Sequence, residues 1–271
     1  MKKLLGFSIF LVFVLIASLT AEAKVTLPAI FSDNMVLQQH TQVNVWGKAA
    51  PGEKVTVKAS WLDKAVTAKA AANGKWTVKL KTPKAITNQS VTVSGENEIT
   101  INNVLIGEVW LCTGQSNMEF PVSRHPDVKW NTGMLNEAEE LKDADYPEIR
   151  LFHVKHQLAH EGELDDCEGE WLVCNPKNLY DFSAVGFVFG RKLYKELKMP
   201  VGLIQSTWGG THAESWTKLD VMKKNPLYAD VLKDFALEGV KQQKNYCKVP
   251  ATLWNGMIHP ILGYTIKGNI W

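Results

Sequence analysis

The 271-residue sequence lacks a marked excess of charge of either sign. Its 30 lysines and arginines almost balance its 28 aspartates and glutamates, which leaves a net charge of +2. Because no segment is densely basic, the sequence excludes nucleic acid as an expected partner. With 45% hydrophobic and 21% charged residues, the composition is typical of a globular protein with ample material for a core.

Cysteine is also scarce, with four residues and no Cys-x-x-Cys pair. The spacing therefore gives no indication of a structural zinc site. Cys112 lies within an apolar segment and is predicted to be a buried free thiol. Cys167 and Cys174 are close enough in sequence for a local disulfide, which an oxidising compartment would permit.

Long apolar runs are absent after residue 23. Residues 1–23 combine Lys2 and Lys3, an apolar stretch at residues 4–19 and an Ala-x-Ala sequence at residues 21–23. This pattern is typical of a cleaved signal peptide rather than a membrane anchor. We therefore expect an exported protein, periplasmic or extracellular, with no membrane contact once the signal is removed.

Residues 24–105 alternate polar and apolar side chains in short segments separated by turn residues. Period-two patterning with recurrent turns predicts an antiparallel β-sandwich domain. Asn73-Gly74 directly precedes one alternating segment, at residues 75–80, and is typical of a two-residue β-hairpin. No cluster of catalytic residue types stands out in this region, so we expect the function to lie in the rest of the chain.

After residue 105 the pattern changes to an alternation of strands and helices. Such alternation implies βαβ units and a parallel sheet, so residues 106–271 are predicted to form an α/β domain. Helical spacing occurs at residues 134–144, 182–197 and 218–244, and strand-like apolar segments occur at residues 148–154, 201–205 and 264–271.

One serine stands where a strand of this sheet ends. The apolar run at residues 108–112 stops at Gly114, which can adopt the positive φ of a tight turn. Ligands bind at the carboxyl ends of parallel strands, so Ser116 is a candidate nucleophile. The alternative is that Ser116 and Asn117 only cap the next helix. Ser206 also ends a strand, but no glycine stands two positions before it, so it is a weaker candidate nucleophile than Ser116.

Two consecutive glycines follow the next strand. A nucleophilic serine needs hydrogen-bond donors for the developing oxyanion, and the backbone of Gly209 and Gly210 could supply them beside Ser116. The alternative interpretation is a flexible turn without a catalytic role.

Two motifs then resemble a known family. Gly114-Gln115-Ser116-Asn117-Met118 resembles the first conserved block of the SGNH hydrolases, most closely in the sialate O-acetylesterase branch. Ser206-Thr207-Trp208-Gly209-Gly210-Thr211, with Glu214 and Trp216, resembles the second block. The resemblance extends from about residue 27 to the end of the chain.

The resemblance implies a flavodoxin-like α/β fold and a serine acyl-enzyme mechanism with no metal and no cofactor. It implies that a glycine N–H of the second block, for which Gly210 is preferred over Gly209, supports the oxyanion. Gln115, Asn117, Gly209 and Thr211 are expected to line the substrate site. The expected substrate is an acetylated carbohydrate, namely sialic acid, and the alternatives are another sugar such as acetylated xylan, or a non-catalytic carbohydrate-binding protein. The oligomeric state is not indicated.

The base is not evident in the sequence. In the family, the catalytic histidine belongs to an Asp-x-x-His block, but the residue three positions before His259 is Gly256. The segment up to Trp271 resembles the stretch before the family's third block. We therefore expect the Asp–His pair beyond residue 271, which would make this chain incomplete. His125 is a local alternative, interpreted first as a loop histidine, and His153 and His156 are interpreted as solvated or core histidines.

Overall fold

The structure, a computed structural model, describes residues 24–127, 132–238 and 246–271. The predicted signal peptide lies outside the described residues. The strands are β1 (Val36–Gln38), β2 (Gln42–Lys48), β3 (Lys54–Ala59), β4 (Val66–Lys69), β5 (Lys75–Lys81), β6 (Ile86–Ser94), β7 (Glu98–Gly114), β8 (Tyr146–His153), β9 (Trp171–Cys174), β10 (Val201–Thr207) and β11 (Gly268–Ile270). The helices are α1 (Ser116–Glu119), α2 (Glu137–Lys142), α3 (Pro176–Leu179), α4 (Ala184–Leu197), α5 (Leu219–Lys223) and α6 (Ala229–Glu238).

The predicted parallel sheet is confirmed in the second half of the chain. Strand β10 pairs in parallel with β7 on one side and with β8 on the other, and β11 also pairs in parallel with β7. Strand β9 adds an antiparallel edge next to β8. Helix α4 follows the predicted helix at residues 182–197 and packs on β8 and β10. The result is a mixed sheet with parallel central strands.

The N-terminal region is β-rich, but the predicted sandwich is not confirmed. Four antiparallel strands follow the order β4-β3-β6-β7, and β2 pairs separately with β5. Strand β7 is 17 residues long and belongs to both halves, because its first part pairs with β6 and its last part with β10. The predicted boundary between residues 105 and 106 falls inside this strand, and the division into two domains stays a prediction.

The predicted hairpin at Asn73-Gly74 is wrong in its pairing. The turn forms, with Gly74 at φ +76 and its N–H bonded to the Ala71 carbonyl at 2.9 Å. The strands on either side nevertheless pair with different partners, β4 with β3 and β5 with β2. Burial explains the difference, because the alternate side chains of β5, which include Trp76 and Leu80, are buried in the core.

The core joins the two regions. One cluster combines valines of the N-terminal strands with Phe152, Trp171 and Tyr264, and a second cluster lies between α4 and the sheet, around Phe187 and Leu203. A contiguous buried cluster of this kind stabilises both regions together. In the described part of the chain, no helix is both long enough and apolar enough to cross a bilayer.

All four cysteines are free thiols. The prediction for Cys112 is confirmed, since it is fully buried, and burial raises its pKa to about 12. No disulfide links Cys167 to Cys174. Both thiols are buried, and burial raises the pKa of each to about 12, so neither ionises readily for exchange.

Candidate active site

The parallel register of β7 and β10 brings two loops to the same edge of the sheet. Thr113 pairs with Ser206 and Gly114 with Thr207, so both strands end at the same level. Beyond them, the Trp208 N–H donates to the Gly114 carbonyl at 3.2 Å. The serine turn after β7 and the glycine loop after β10 therefore lie side by side.

The serine turn is built from a glycine and a single helical turn. Gly114 has φ +142, a value that favours glycine, and a Cβ added there would lie 3.3 Å from the Met118 Cβ. The N–H groups of Met118 and Glu119 then both donate to the Gln115 carbonyl at 2.9 Å and close α1. Met118 is buried and anchors this helix, whereas Ser116 stays exposed.

Ser116 is part of α1 and does not cap it. The residue before the helix is Gln115, whose side chain makes no capping hydrogen bond. The Ser116 hydroxyl donates to the Gln115 side-chain oxygen at 3.2 Å. The structure thus argues against the capping interpretation and leaves the hydroxyl at the surface.

A cavity of about 450 Å³ opens in front of this hydroxyl. Its walls are Gly114, Gln115, Ser116, Asn117, Met118, Val185 and Trp271. Gln115 and Asn117, both predicted to contact substrate, are exposed at its rim. The cavity combines an apolar wall with a few polar groups, which is the usual composition of a small-ligand site.

Of the two loop glycines, Gly209 lies against Ser116. A Cβ added to Gly209 would be 3.3 Å from the Ser116 Oγ and 3.5 Å from its Cα. The same atom on Gly210 would meet nothing within 4 Å, and Gly210 has φ +73. The Gly209 N–H donates to the Glu119 carboxylate at 2.5 Å, whereas the Gly210 N–H has no protein partner within the described ranges. The oxyanion role assigned to Gly210 stays a prediction, and its N–H is available for it.

Thr211 and Ser206 occupy buried positions. The Thr211 hydroxyl donates to the Trp208 carbonyl at 2.7 Å and accepts the indole N–H of Trp216 at 2.9 Å, so it shapes the glycine loop. Its predicted substrate contact stays a prediction. Ser206 is fully buried and donates to the Met257 carbonyl, which excludes it as a nucleophile in this conformation.

Glu119 and His156, neither of which was predicted to belong to the site, complete its edge. Glu119 Oε1 lies 2.7 Å from His156 Nε2, which is also 3.0 Å from the Thr207 carbonyl. The imidazole stacks on the Trp208 indole, with ring centroids 3.9 Å apart and planes 5° from parallel. The only hint in the sequence was position, because Glu119 follows Ser116 by three residues and shares its helix face.

The electrostatics of this pair follow from its hydrogen bonds. Burial pushes the pKa of Glu119 upward, but the hydrogen bonds from His156 and the Gly209 N–H outweigh it, so the pKa lies below its usual value. His153, at the end of β8, differs because burial lowers its pKa to about 4. Near neutral pH, Glu119 is therefore ionised and His153 is neutral.

The two histidines weighed as bases lie in other pairs. His125 Nε2 is 2.6 Å from Asp181, and His259 is 3.2 Å from Glu163. His259 also lines a separate cavity of about 590 Å³, which does not include Ser116. Neither histidine hydrogen-bonds to Ser116 in the described part of the chain.

Comparison with known proteins gives a consistent family. Residues 106–256 match the family described as carbohydrate esterase, sialic acid-specific acetylesterase. The sialate O-acetylesterase of Mus musculus is 30% identical over 283 residues, which cover 90% of this chain and 50% of that protein. That of Homo sapiens is 30% identical over 261 residues, covering 89% of this chain and 46% of that protein. The chain spans about half the length of the curated relatives it matches.

A solved structure is similar in fold. A carbohydrate acetylesterase from Xanthomonas citri matches with a TM-score of 0.76 at 30% sequence identity. The match covers 92% of this chain and 51% of that protein. The described fold therefore has a counterpart in a protein named as a carbohydrate acetylesterase.

Proposed function

The chain belongs to the sialic acid-specific acetylesterase family of carbohydrate esterases, and we propose that it removes acetyl groups from sialic acid through an acyl-enzyme on Ser116. The observation that carries this proposal is the exposed Ser116 hydroxyl, which lines a cavity and adjoins the glycine loop at the carboxyl edge of the sheet. A nucleophile beside backbone donors is the arrangement that acyl transfer requires.

In the proposed reaction, Ser116 Oγ loses its proton to a base and bonds to the acetyl carbonyl carbon. The charge that develops on the carbonyl oxygen is stabilised by a backbone N–H, assigned to Gly210 because the Gly209 N–H is already bonded to Glu119. One such donor is worth roughly 3 kcal/mol in comparable hydrolases. Collapse breaks the bond to the sugar oxygen, which leaves as a protonated hydroxyl. Water then attacks the acyl group, releases acetate and restores Ser116.

We propose that the base is the histidine of an Asp-x-x-His block outside residues 1–271. No histidine in the sequence is preceded by an aspartate three positions earlier in the chain. The Ser116 hydroxyl is bonded to Gln115, and both local candidates, His125 and His259, are paired with other carboxylates. We also propose export with loss of residues 1–23, on the basis of their sequence pattern.

The test is an ester assay with 4-nitrophenyl acetate, O-acetylated sialic acid and acetylated xylan. It is run on the 271-residue chain and on a form extended at its C-terminus. We expect Ser116→Ala to abolish hydrolysis in the active form, whereas Ser206→Ala, at the other strand end, retains it. Release of acetate from xylan but not from sialic acid would instead assign another sugar.

Three results would contradict the proposal. Loss of activity in Ser206→Ala but not in Ser116→Ala would show that Ser116 is not the nucleophile. Full activity of the 271-residue chain would refute the proposed position of the base, and loss of that activity in His125→Ala or His259→Ala would then identify a local base. Sugar binding with no hydrolysis in either form would support the non-catalytic alternative.

A further inference from the structure

The Glu119 carboxylate links three parts of the site that are far apart in sequence. It belongs to the same helical turn as Ser116, it accepts from His156 through Oε1, and it accepts from the Gly209 N–H through Oε2. The side chain is 21% exposed, so these bonds are partly shielded from water. Hydrogen bonds to a charged acceptor are about twice as strong as neutral ones.

The proton of His156 can be assigned from its partners. Nε2 contacts two oxygens, Glu119 Oε1 and the Thr207 carbonyl, and a carbonyl can only accept. Nε2 must therefore carry the proton that it shares between them. The ring is fixed in the perpendicular direction by its stacking on Trp208, the residue before Gly209. Glu119 thus holds the glycine loop directly through Gly209 and indirectly through His156.

The spacing between this loop and the nucleophile leaves little room for movement. A Cβ on Gly209 would be 2.7 Å from Glu119 Oε2 and 3.3 Å from Ser116 Oγ. The carboxylate oxygen and the serine hydroxyl therefore both lie close to Gly209. Any displacement of the carboxylate changes the distance from the Gly209-Gly210 backbone to Ser116.

We propose that Glu119 is a positioning residue, whose carboxylate fixes the Gly209-Gly210 backbone at the distance from Ser116 that oxyanion stabilisation requires. The inference rests on the proposed esterase function for its catalytic meaning, but the positioning itself is a property of the fold. By occupying the Gly209 N–H, Glu119 also directs the oxyanion towards the free N–H of Gly210. A misplacement of about 1 Å at such a site can cost roughly 10²-fold in rate.

A carboxylate is required because it must serve two donors at once. The two donors approach different carboxylate oxygens, His156 at Oε1 and Gly209 at Oε2. The amide of Glu119→Gln places an NH2 group, which only donates, at one of these two positions, so it keeps one of the two bonds and loses the other. His156 could move its proton to Nδ1 and accept from the amide, but it would then lose its bond to Thr207. Glu119→Ala removes both acceptors. The expected order of loop fixation is wild type, then Glu119→Gln, then Glu119→Ala.

A matched control exists in the N-terminal region. Like Glu119, Glu53 accepts two N–H groups, here both from the backbone: that of Glu96 at 2.7 Å and that of Ala50 at 2.8 Å. It contacts no residue of the serine or glycine loops in the described part of the chain. Glu53→Ala therefore removes an equivalent pair of hydrogen bonds without touching the site.

The first measurement is amide hydrogen exchange by NMR on the 271-residue chain. We expect the Gly209 amide to exchange at least about tenfold faster in Glu119→Ala than in wild type or Glu53→Ala, with Glu119→Gln between them. The second is steady-state kinetics on the form that hydrolyses 4-nitrophenyl acetate. We expect kcat to fall by about 10²-fold in Glu119→Ala with KM within about threefold, and Glu53→Ala to stay within about twofold of wild type.

The outcomes separate this inference from the proposed function. If Ser116→Ala abolishes hydrolysis but Glu119→Ala keeps its kcat or its Gly209 protection, the positioning role is refuted and the esterase function stands. If no form hydrolyses an ester but Gly209 loses protection only in the Glu119 variants, the fixation stands and the esterase function fails. The inference is also overturned if Glu119→Ala and Glu53→Ala lose kcat to the same extent and melting temperature to the same extent, because a purely structural role then explains the loss.

Discussion

The contact between Gly209 and the Glu119 carboxylate predicts a specific effect of one added methyl group. In Gly209→Ala the new Cβ would lie 2.7 Å from Glu119 Oε2, closer than carbon and oxygen can approach, and 3.3 Å from Ser116 Oγ, which is tight but tolerable. Because the carboxylate is held by His156, either it or the loop must shift by several tenths of an ångström. We expect kcat for an acetyl ester to fall by about tenfold to 10²-fold, and the overpacking to cost about 1–3 kcal/mol of stability.

The same contact predicts coupling between two substitutions. Once Glu119→Ala has removed the opposing oxygen, the added methyl group meets only Ser116, so Gly209→Ala/Glu119→Ala should be no slower than Glu119→Ala alone. Gly162→Ala is the control for kcat only: a Cβ there has no atom within 4 Å, but the φ of +157 disfavours alanine, so a loss of stability without a loss of kcat is expected. Kinetics with 4-nitrophenyl acetate and urea unfolding measure both effects. If the two substitutions reduce kcat additively, they do not act through the same contact, and the reasoning is refuted.

Two further predictions concern stability. The pKa of His153 is about 4 in the folded chain and about 6.5 when unfolded, so the unfolded state takes up the proton first as pH falls. The contribution of neutral His153 to the stability of the fold is therefore complete above pH ~6.5 and declines towards pH 4. We expect His153→Gln to remove about 2–3 kcal/mol of the loss in unfolding free energy between pH 7 and pH 4.5. Urea titrations at a series of pH values measure this, and an unchanged dependence of the unfolding free energy on pH would contradict it. Asn34 Oδ1 accepts from the buried guanidinium of Arg150 at 3.0 Å, so Asn34→Gly, which tolerates the local φ of +70, should cost about 1.5–3 kcal/mol. Equal unfolding free energies in the variant and the wild type would show that Arg150 finds another acceptor.

The second half of the fold could be predicted because its signals are local. Helix α4 and strand β10 appear as apolar periodicities of the correct length, and strand–helix alternation implies parallel pairing. The N-terminal half could not be predicted to the same depth. Asn73-Gly74 determines a turn, but which strands pair across it depends on burial of side chains distant in sequence. The length of β7 could not be predicted either, because its side chains alternate or are exposed in the first part of the strand and are mostly buried only in the second.

The site could be predicted only where its parts are consecutive. Ser116 after Gly114 and the pair Gly209-Gly210 are short motifs at strand ends, and the register of β7 with β10 brings them together as expected. The Glu119–His156 contact joins residues 37 positions apart, and no local pattern indicates it. The interpretation of His156 as a solvated or core histidine therefore missed its bond to Glu119.

The one-turn helix α1 explains why a site can be assembled from so few residues. Ser116 lines the cavity and Glu119 reaches the glycine loop from the same face of the helix, whereas Met118 is buried. Anchoring Met118 therefore fixes the nucleophile and the carboxylate together. Because β7 and β10 end at the same level, the carboxylate needs to span only one strand spacing, roughly 4.8 Å, to reach the loop. The geometry of the site then depends on strand register more than on loop sequence, and a one-residue slip between β7 and β10 would separate the serine turn from the glycine loop.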